Sequence, residues 1–293
     1  MSFPLLRLPF FALDEIVQNL SEEQKLTLAK TSQRVKRLVS KHTKSNSIRI
    51  FSYDERFLAY TFYDDQKSDR KEQSSLPDSS MICRREVPEF RETLDFLLEI
   101  YRIKNVSIRM IEYPVIRGII ILEYCVSKNL KIESVWGSVF SKKDEMLERF
   151  LIASKDATEL TIRGIIISPP YSFDHFHLFR MDRFEIGYAP WITVEQVLAL
   201  RNCKRVDMGY VQFNASDITR ILLEWLENPG ELMELRMSFD IQMTIEEVVE
   251  GLRAVRSQES NEGNPKYWLT GNNGVQFPAM MERDRIILMK RET

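Results

Sequence analysis

Apolar residues along this chain follow two periods, and the switches between them mark out its elements. Near the start, Leu13, Ile16, Val17 and Leu20 share one helical face. Ser21 with Gln24 makes a capping-box pair ahead of Leu26, Leu28 and Ala29, and Val35, Leu38 and Val39 continue as a third helix. Leu8-Pro9 reads as extended, because proline fixes its own φ and biases the residue before it away from helix. Three helices of about ten residues make a poor core alone, so this element needs a partner surface, in cis or in trans. Residues 47–51 and 57–63 then alternate, with β-branched and aromatic side chains, and predict a small hairpin.

From about residue 88 onward a repeat emerges. Apolar pairs two residues apart recur at Val106/Ile108, Leu130/Ile132, Leu160/Ile162, Phe184/Ile186, Val206/Met208 and Leu235/Met237. Successive first members lie 24, 30, 24, 22 and 29 positions apart. A two-residue spacing marks one face of a strand, and a recurrence of about 20 to 30 residues marks a stacked strand-helix solenoid. Between the pairs, Phe90, Leu94, Leu97 and Tyr101 form a helical stripe after Pro88. Thr193 with Gln196 and Thr244 with Glu247 are capping boxes, and Asn214 or Ser216 can cap Ile218, Ile221, Leu222 and Trp225 before Pro229-Gly230. Gly137, Gly164, Gly187 and Gly209 suit strand-to-helix turns. The tail, with strands at 266–270 and 285–289 and a turn at Asn273-Gly274, reads as a terminal β-meander. The predicted class is α/β: a small helical N-terminus, then a leucine-rich-repeat-like solenoid closed by a meander. An open mixed sheet is the alternative.

Composition narrows the classes of function. The 293 residues are 44% hydrophobic, with 41 basic and 43 acidic side chains, so neither global disorder nor a nucleic-acid-coating protein is expected. Residues 64–80 hold eight charged side chains, five serines and a single large apolar residue, Leu76, and read as a solvated linker. Three widely spaced cysteines, Cys83, Cys125 and Cys203, form neither a disulfide framework nor a metal motif. No apolar run reaches the length of a membrane span, and residues 1–7 lack the pattern of a secretory signal. The expected address is intracellular, in cytoplasm or nucleus, with no membrane partner.

Residues 3–43 resemble the F-box in Leu8-Pro9, the Ile16…Leu20 face, the Leu26/Leu28 pair and the Thr31-Ser32-Gln33-Arg34-Val35 segment. The remainder resembles the type 2 F-box-associated domain of nematode-type F-box proteins. The segment around Asn214-Ala215-Ser216-Asp217-Ile218, Leu222-Leu223-Glu224-Trp225 and Leu235-Arg236-Met237 carries that likeness, with Tyr267-Trp268-Leu269 and Ile286-Ile287-Leu288 at the end. The resemblance implies an F-box at 3–44, short strands and a linker at 45–87, and a substrate-recruiting domain at 88–293. It implies a non-enzymatic subunit of a Skp-cullin-F-box ubiquitin ligase that presents a protein substrate. Leu8, Pro9, Ile16, Leu20, Leu26 and Leu28 would then dock a Skp-type adaptor and, through it, a cullin. A repeat-domain scaffold with a degenerate F-box is the alternative.

Other signals point less far. Seven basic residues between 25 and 44 could line a helix on nucleic acid, but no base-reading cluster accompanies them, and a solvated or steering face is the expectation. On a strand, His175 and His177 would share a face as potential metal ligands, yet no third ligand is local and two partly exposed histidines in an aromatic loop are the plainer reading, so no metal is expected. Enzyme motifs are absent, and no cofactor is implied. Trp136, Trp191, Trp225 and Trp268 sit in apolar patterns that suit packing. Substrate contacts cannot be assigned from residue types alone. The aromatic, proline-led segment 168–182 is the best loop candidate, with an ordinary buried loop equally open.

Overall fold

A computed structural model of the chain describes residues 8–43, 47–53, 56–62, 82–84, 86–111, 116–138, 144–164, 171–239, 243–257, 266–271, 274, 276–282 and 285–289. The expected linker 64–80 and the turn residue Asn273 lie outside them. The chain divides into two units, Met1–Ile132 and Glu133–Thr293, so the sequence boundaries near 44 and 88 both fall inside the first.

The first unit begins with three helices, α1 (Phe10–Asn19), α2 (Glu22–Ala29) and α3 (Gln33–His42). Each start has a local cause. Pro9 precedes α1, Ser21 and Gln24 form the reciprocal capping box of α2, and the Ser32 side chain accepts from the Val35 amide. Leu13, Val17, Leu26, Ala29, Val35, Leu38 and Val39 are buried where α3 packs on α1 and α2. His42 Nε2 and Asp14 Oδ1, 2.7 Å apart, tie α3 to α1. Then follow β1 (Ser47–Tyr53), β2 (Arg56–Phe62), β3 (Ile82–Arg84), α4 (Val87–Ile100), β4 (Asn105–Met110) and α5 (Ile116–Ser127).

The expected hairpin forms, with Tyr53 opposite Arg56, but it is no isolated bridge. The free edge of β1 takes β4 in parallel, aligning Ile48 with Val106 and Ile50 with Ile108, while β3 extends β2. The α4 stripe is buried along Phe90, Leu94, Leu97 and Ile100, and Phe57 stacks on Phe90 at 4.8 Å. Helix α3 also packs on α4. Thr43 Oγ1 donates to the Ile100 carbonyl at 3.1 Å, Lys36 pairs with Glu99, and Lys30 and Lys36 lie over the Phe96 ring. The surface that these small helices need is therefore supplied in part by their own chain.

The second unit contains β5 (Lys131–Ser138, which begins at the boundary), α6 (Asp144–Ser154), β6 (Glu159–Arg163), β7 (Arg183–Ile186), α7 (Val194–Ala199), β8 (Arg205–Val211), α8 (Ala215–Glu227) and β9 (Glu234–Phe239). After them come α9 (Ile245–Val249), β10 (Ala254–Arg256), β11 (Lys266–Thr270), β12 (Gln276–Glu282) and β13 (Arg285–Met289). Strands β5 to β9 are parallel neighbours in chain order. Strand β13 then joins β9 antiparallel, and β12, β11 and β10 follow outward, each antiparallel to the last. The architecture is α/β with a mixed sheet.

Register explains the repeat. Val135, Leu160, Phe184, Val206, Leu235 and Leu288 lie side by side across six strands, and all are buried. A second row runs Gly137, Ile162, Ile186, Met208, Met237 and Ile286. Each large aliphatic or aromatic side chain buried there contributes about 1.5 to 3 kcal/mol. The pair that belongs to these rows in β5 is Val135/Gly137, not the predicted Leu130/Ile132. Leu130 precedes the strand, and alternation breaks between the buried Ile132 and Val135, an odd three-residue step. Gly137 and Gly209 likewise sit inside strands and not in turns; only Gly164 and Gly187 follow one.

Thr193 and Thr244 close their expected capping boxes, and of the two candidate caps of α8 it is Asn214, not Ser216, that caps it, through a box with Asp217. In the described part of the 168–182 segment the aromatic residues turn into the core, while the residues between them are exposed. Tyr171, Phe173, Phe176, Phe179 and Met181 are buried, and Phe176 and Phe179 each meet Phe184 edge-on at 5.7 Å. Trp191 and Trp225 are buried too.

Candidate interaction surfaces

Two surfaces, one in each unit, present groups that the packing does not use. In the first unit, α1 starts immediately after Pro9, and its first two residues are aromatic. Phe10 is partly covered by Lys41, whose ammonium lies 5.2 Å from the ring centre, and Phe11 is 84% exposed. A phenyl ring left in water forgoes the roughly 1.5 to 3 kcal/mol that burial yields, which makes the adjacent pair Phe10 and Phe11 a candidate contact surface. Of the residues assigned to docking, Pro9 is exposed and Leu8, Ile16, Leu20 and Leu28 are half-buried. Leu26 is buried with the core of the three helices, so it supports the surface without forming it. Sequence reasoning passed over Phe10 and Phe11. The signal was present, because Phe11 falls on the helical face of Glu15 and Gln18 and not with Leu13 and Val17.

The basic residues of this region are partly engaged. Lys25 is buried, Lys36 is paired with Glu99, and Lys30, Lys36 and Lys41 lie over phenyl rings.

The second surface is the opposite face of the parallel sheet. Residues that alternate with the buried rows are mostly charged. Thr161, Glu185, Asp207 and Arg236 form one row, and Glu159, Arg183, Arg205 and Glu234 align along the sheet before it. Glu185 accepts from Arg163 and from Arg183, the latter at 2.9 Å. Glu234 accepts from Arg236 Nε at 2.6 Å, and Arg205 lies 3.7 Å away. Arg285 approaches Asp207 at 3.5 Å and donates through Nε to Ser238 Oγ at 2.9 Å.

Toward the C-terminal ends of β6 to β8 this lattice opens into a cavity of about 300 Å³. Its lining includes Arg163, Glu185, Asp207, Ser238 and Arg285, with Gly187 and Gly209 contributing backbone and no side chain. Tyr210 stands at its edge beside Tyr188, ring centres 5.6 Å apart, and both are exposed. Tyr210 has φ +55°, a left-handed conformation at a register shift in β8.

Burial pushes the Asp207 carboxyl above the usual range, and neighbouring Glu185 adds to that, against the opposing pull of Arg285 and Arg236. A carboxyl with a raised native pKa costs stability once it ionises, and the cost vanishes as pH falls below the ordinary value of 3.8. Asp207→Asn is therefore expected to melt higher than the wild type at pH 7. That gain should shrink steadily in scans taken toward pH 4. A lower melting temperature at pH 7 would show that the arginine contacts outweigh the burial cost.

Comparison with known proteins adds one distant relative. The chain is 21% identical over 182 residues to the Skn-1 dependent zygotic transcript 15 protein of Caenorhabditis elegans. The match covers 59% of this chain and 52% of that protein, so the chain spans about half the length of the curated relative it matches. No family model matches, and no solved structure matches. Among the described residues, no helix is long and apolar enough to cross a membrane, and no group of three or more His, Cys, Asp or Glu residues could hold a metal ion. His175 and His177 are exposed, with ring centres 6.2 Å apart. Cys125 and Cys203 are buried, and desolvation pushes their thiols up to about 12 and about 11, so neither suits a nucleophile.

Proposed function

We propose that this chain is a substrate-recruiting subunit of a Skp-cullin-F-box ubiquitin ligase. In this reading residues 3–44 are the F-box, and α1 to α3 dock a Skp-type adaptor. The parallel strands β5 to β9 are a leucine-rich-repeat-like stack whose charged face holds a protein substrate. The chain itself carries out no bond chemistry; its work is binding. The observation that carries the reading is the aromatic pair Phe10 and Phe11, exposed at the head of a helical element that follows Leu8-Pro9. The sequence resemblance to F-box and type 2 F-box-associated regions supports it, as does the run of neighbouring parallel strands.

Alanine at both Phe10 and Phe11 is expected to weaken capture by an immobilised Skp-type adaptor about a hundredfold. Aromatic anchors at interfaces each contribute about 1 to 3 kcal/mol, and every 1.4 kcal/mol is about tenfold in affinity. Phe11 is exposed and Phe10 is covered only in part by Lys41, so the melting curve should move little. Undiminished capture would remove these residues from the interface.

A further inference from the structure

Across the charged sheet face the two signs sit at different depths. The arginine side chains are the outer layer: Arg163 is 53% exposed and Arg205 64%, with Arg183, Arg236 and Arg285 between 37% and 41%. The carboxylates lie beneath, with Glu185 at 11%, Glu234 at 17% and Asp207 at 22%. A buried carboxylate that accepts from two guanidinium groups holds their planes in place. The rotamer entropy a long side chain normally loses on binding is then already lost in the free protein. A guanidinium has five N–H donors, so those not turned down onto a carboxylate remain for a second acceptor above.

We infer that this face binds an acidic peptide segment of a partner protein, with one Asp or Glu side chain entering the Gly187–Gly209 cavity between Arg163 and Arg285. The inference deepens the proposed function by naming the chemistry of its substrate, and it rests on that reading only for the biological role. Charge complementarity selects the sign, because an incoming carboxylate meets guanidinium groups first while the protein's own acids are screened below them. A lysine or arginine side chain would have to displace these groups before reaching Glu185 or Asp207. Gly187 and Gly209 put no side chain into the cavity, and the ring of Tyr210, which lines it and packs beside Tyr188, offers apolar cover for its stem.

The test is fluorescence anisotropy of the full chain with labelled hexaglutamate, hexaglutamine and hexalysine at low salt. Hexaglutamate is expected to bind, to weaken steeply as salt rises, and to exceed both other peptides by about tenfold or more. Arg163→Ala with Arg285→Ala should lower its affinity about tenfold or more. That variant strips partners from buried acids, so a second one keeps every ion pair. Tyr210→Glu, at an exposed position that lines the cavity, should weaken hexaglutamate severalfold by repulsion without lowering the melting temperature. Preference for hexalysine, absence of hexaglutamate binding, or equal binding by wild type and both variants would overturn the inference. So would binding of a phosphoserine peptide where hexaglutamate fails. Hexaglutamate capture by a chain that ignores the adaptor would leave this site standing and remove the ligase reading alone.

Discussion

Phe184→Ala is expected to cost the second unit about 3 to 5 kcal/mol, the usual range for deleting a buried phenyl ring. The site explains why the upper part of that range applies. Phe184 sits mid-row between Leu160 and Val206, and its other faces are closed by Phe176 and Phe179. Neighbours held on both adjacent strands cannot collapse into the space, so the cavity persists. A unit of this size shifts by about 2 to 4 °C per kcal/mol, so its melting temperature should fall by at least about 6 °C. Leu223→Ala, on the exposed side of α8, is the control and should stay within about 0.5 kcal/mol of wild type. If the two variants melt together, the in-register rows are not the core of this unit.

Gly209→Ala should be costly for a different reason. A Cβ at this position would lie 2.3 Å from the Gly187 carbonyl oxygen and 3.0 Å from its carbon, so backbone must move. Neither backbone is free to yield. The Gly187 amide donates to the Ile162 carbonyl at 2.8 Å, and the Gly209 carbonyl accepts from the Ala189 amide at 2.8 Å. Overpacking of this kind costs about 1 to 3 kcal/mol and sometimes more, and the upper end is expected where only main chain can relax. Gly187→Ala is the sharper comparison. Its Cβ would meet the Arg163 side chain at 3.2 Å, which can swing aside, so denaturant midpoints should separate the two glycines clearly. Equal midpoints would mean that β7 and β8 are not locked at this close approach.

These two residues also show what could be read in the sequence and what could not. Phe184/Ile186 stood out because apolar pairs recur at intervals of 22 to 30 residues, and neighbouring parallel strands can bring such pairs into register. The same rule misplaced the β5 pair, since Leu130/Ile132 has the right spacing but Leu130 lies in the turn before the strand. Caps were legible for a local reason. Ser21/Gln24, Thr193/Gln196 and Thr244/Glu247 each satisfy one helix end within four residues of chain.

The charged cavity was not legible at all. Arg163, Glu185, Asp207 and Arg285 span more than a hundred residues, and only the stacking of five strands makes them neighbours. In the 168–182 segment, composition alone could not separate an aromatic binding loop from an aromatic core. Packing decides it: Phe173 meets Phe176 and Phe179, and its carbonyl accepts from the Gln196 side chain at 3.3 Å.

Adaptor docking is the central claim, and size-exclusion chromatography with light scattering tests it most directly. The purified full chain, mixed with an equimolar Skp-type adaptor, should elute as a one-to-one complex, and the variant lacking the Phe10 and Phe11 rings should elute mostly as free components. Folded wild-type chain that elutes apart from the adaptor at concentrations of about 10 μM, where an interface of standard size forms, would contradict the account.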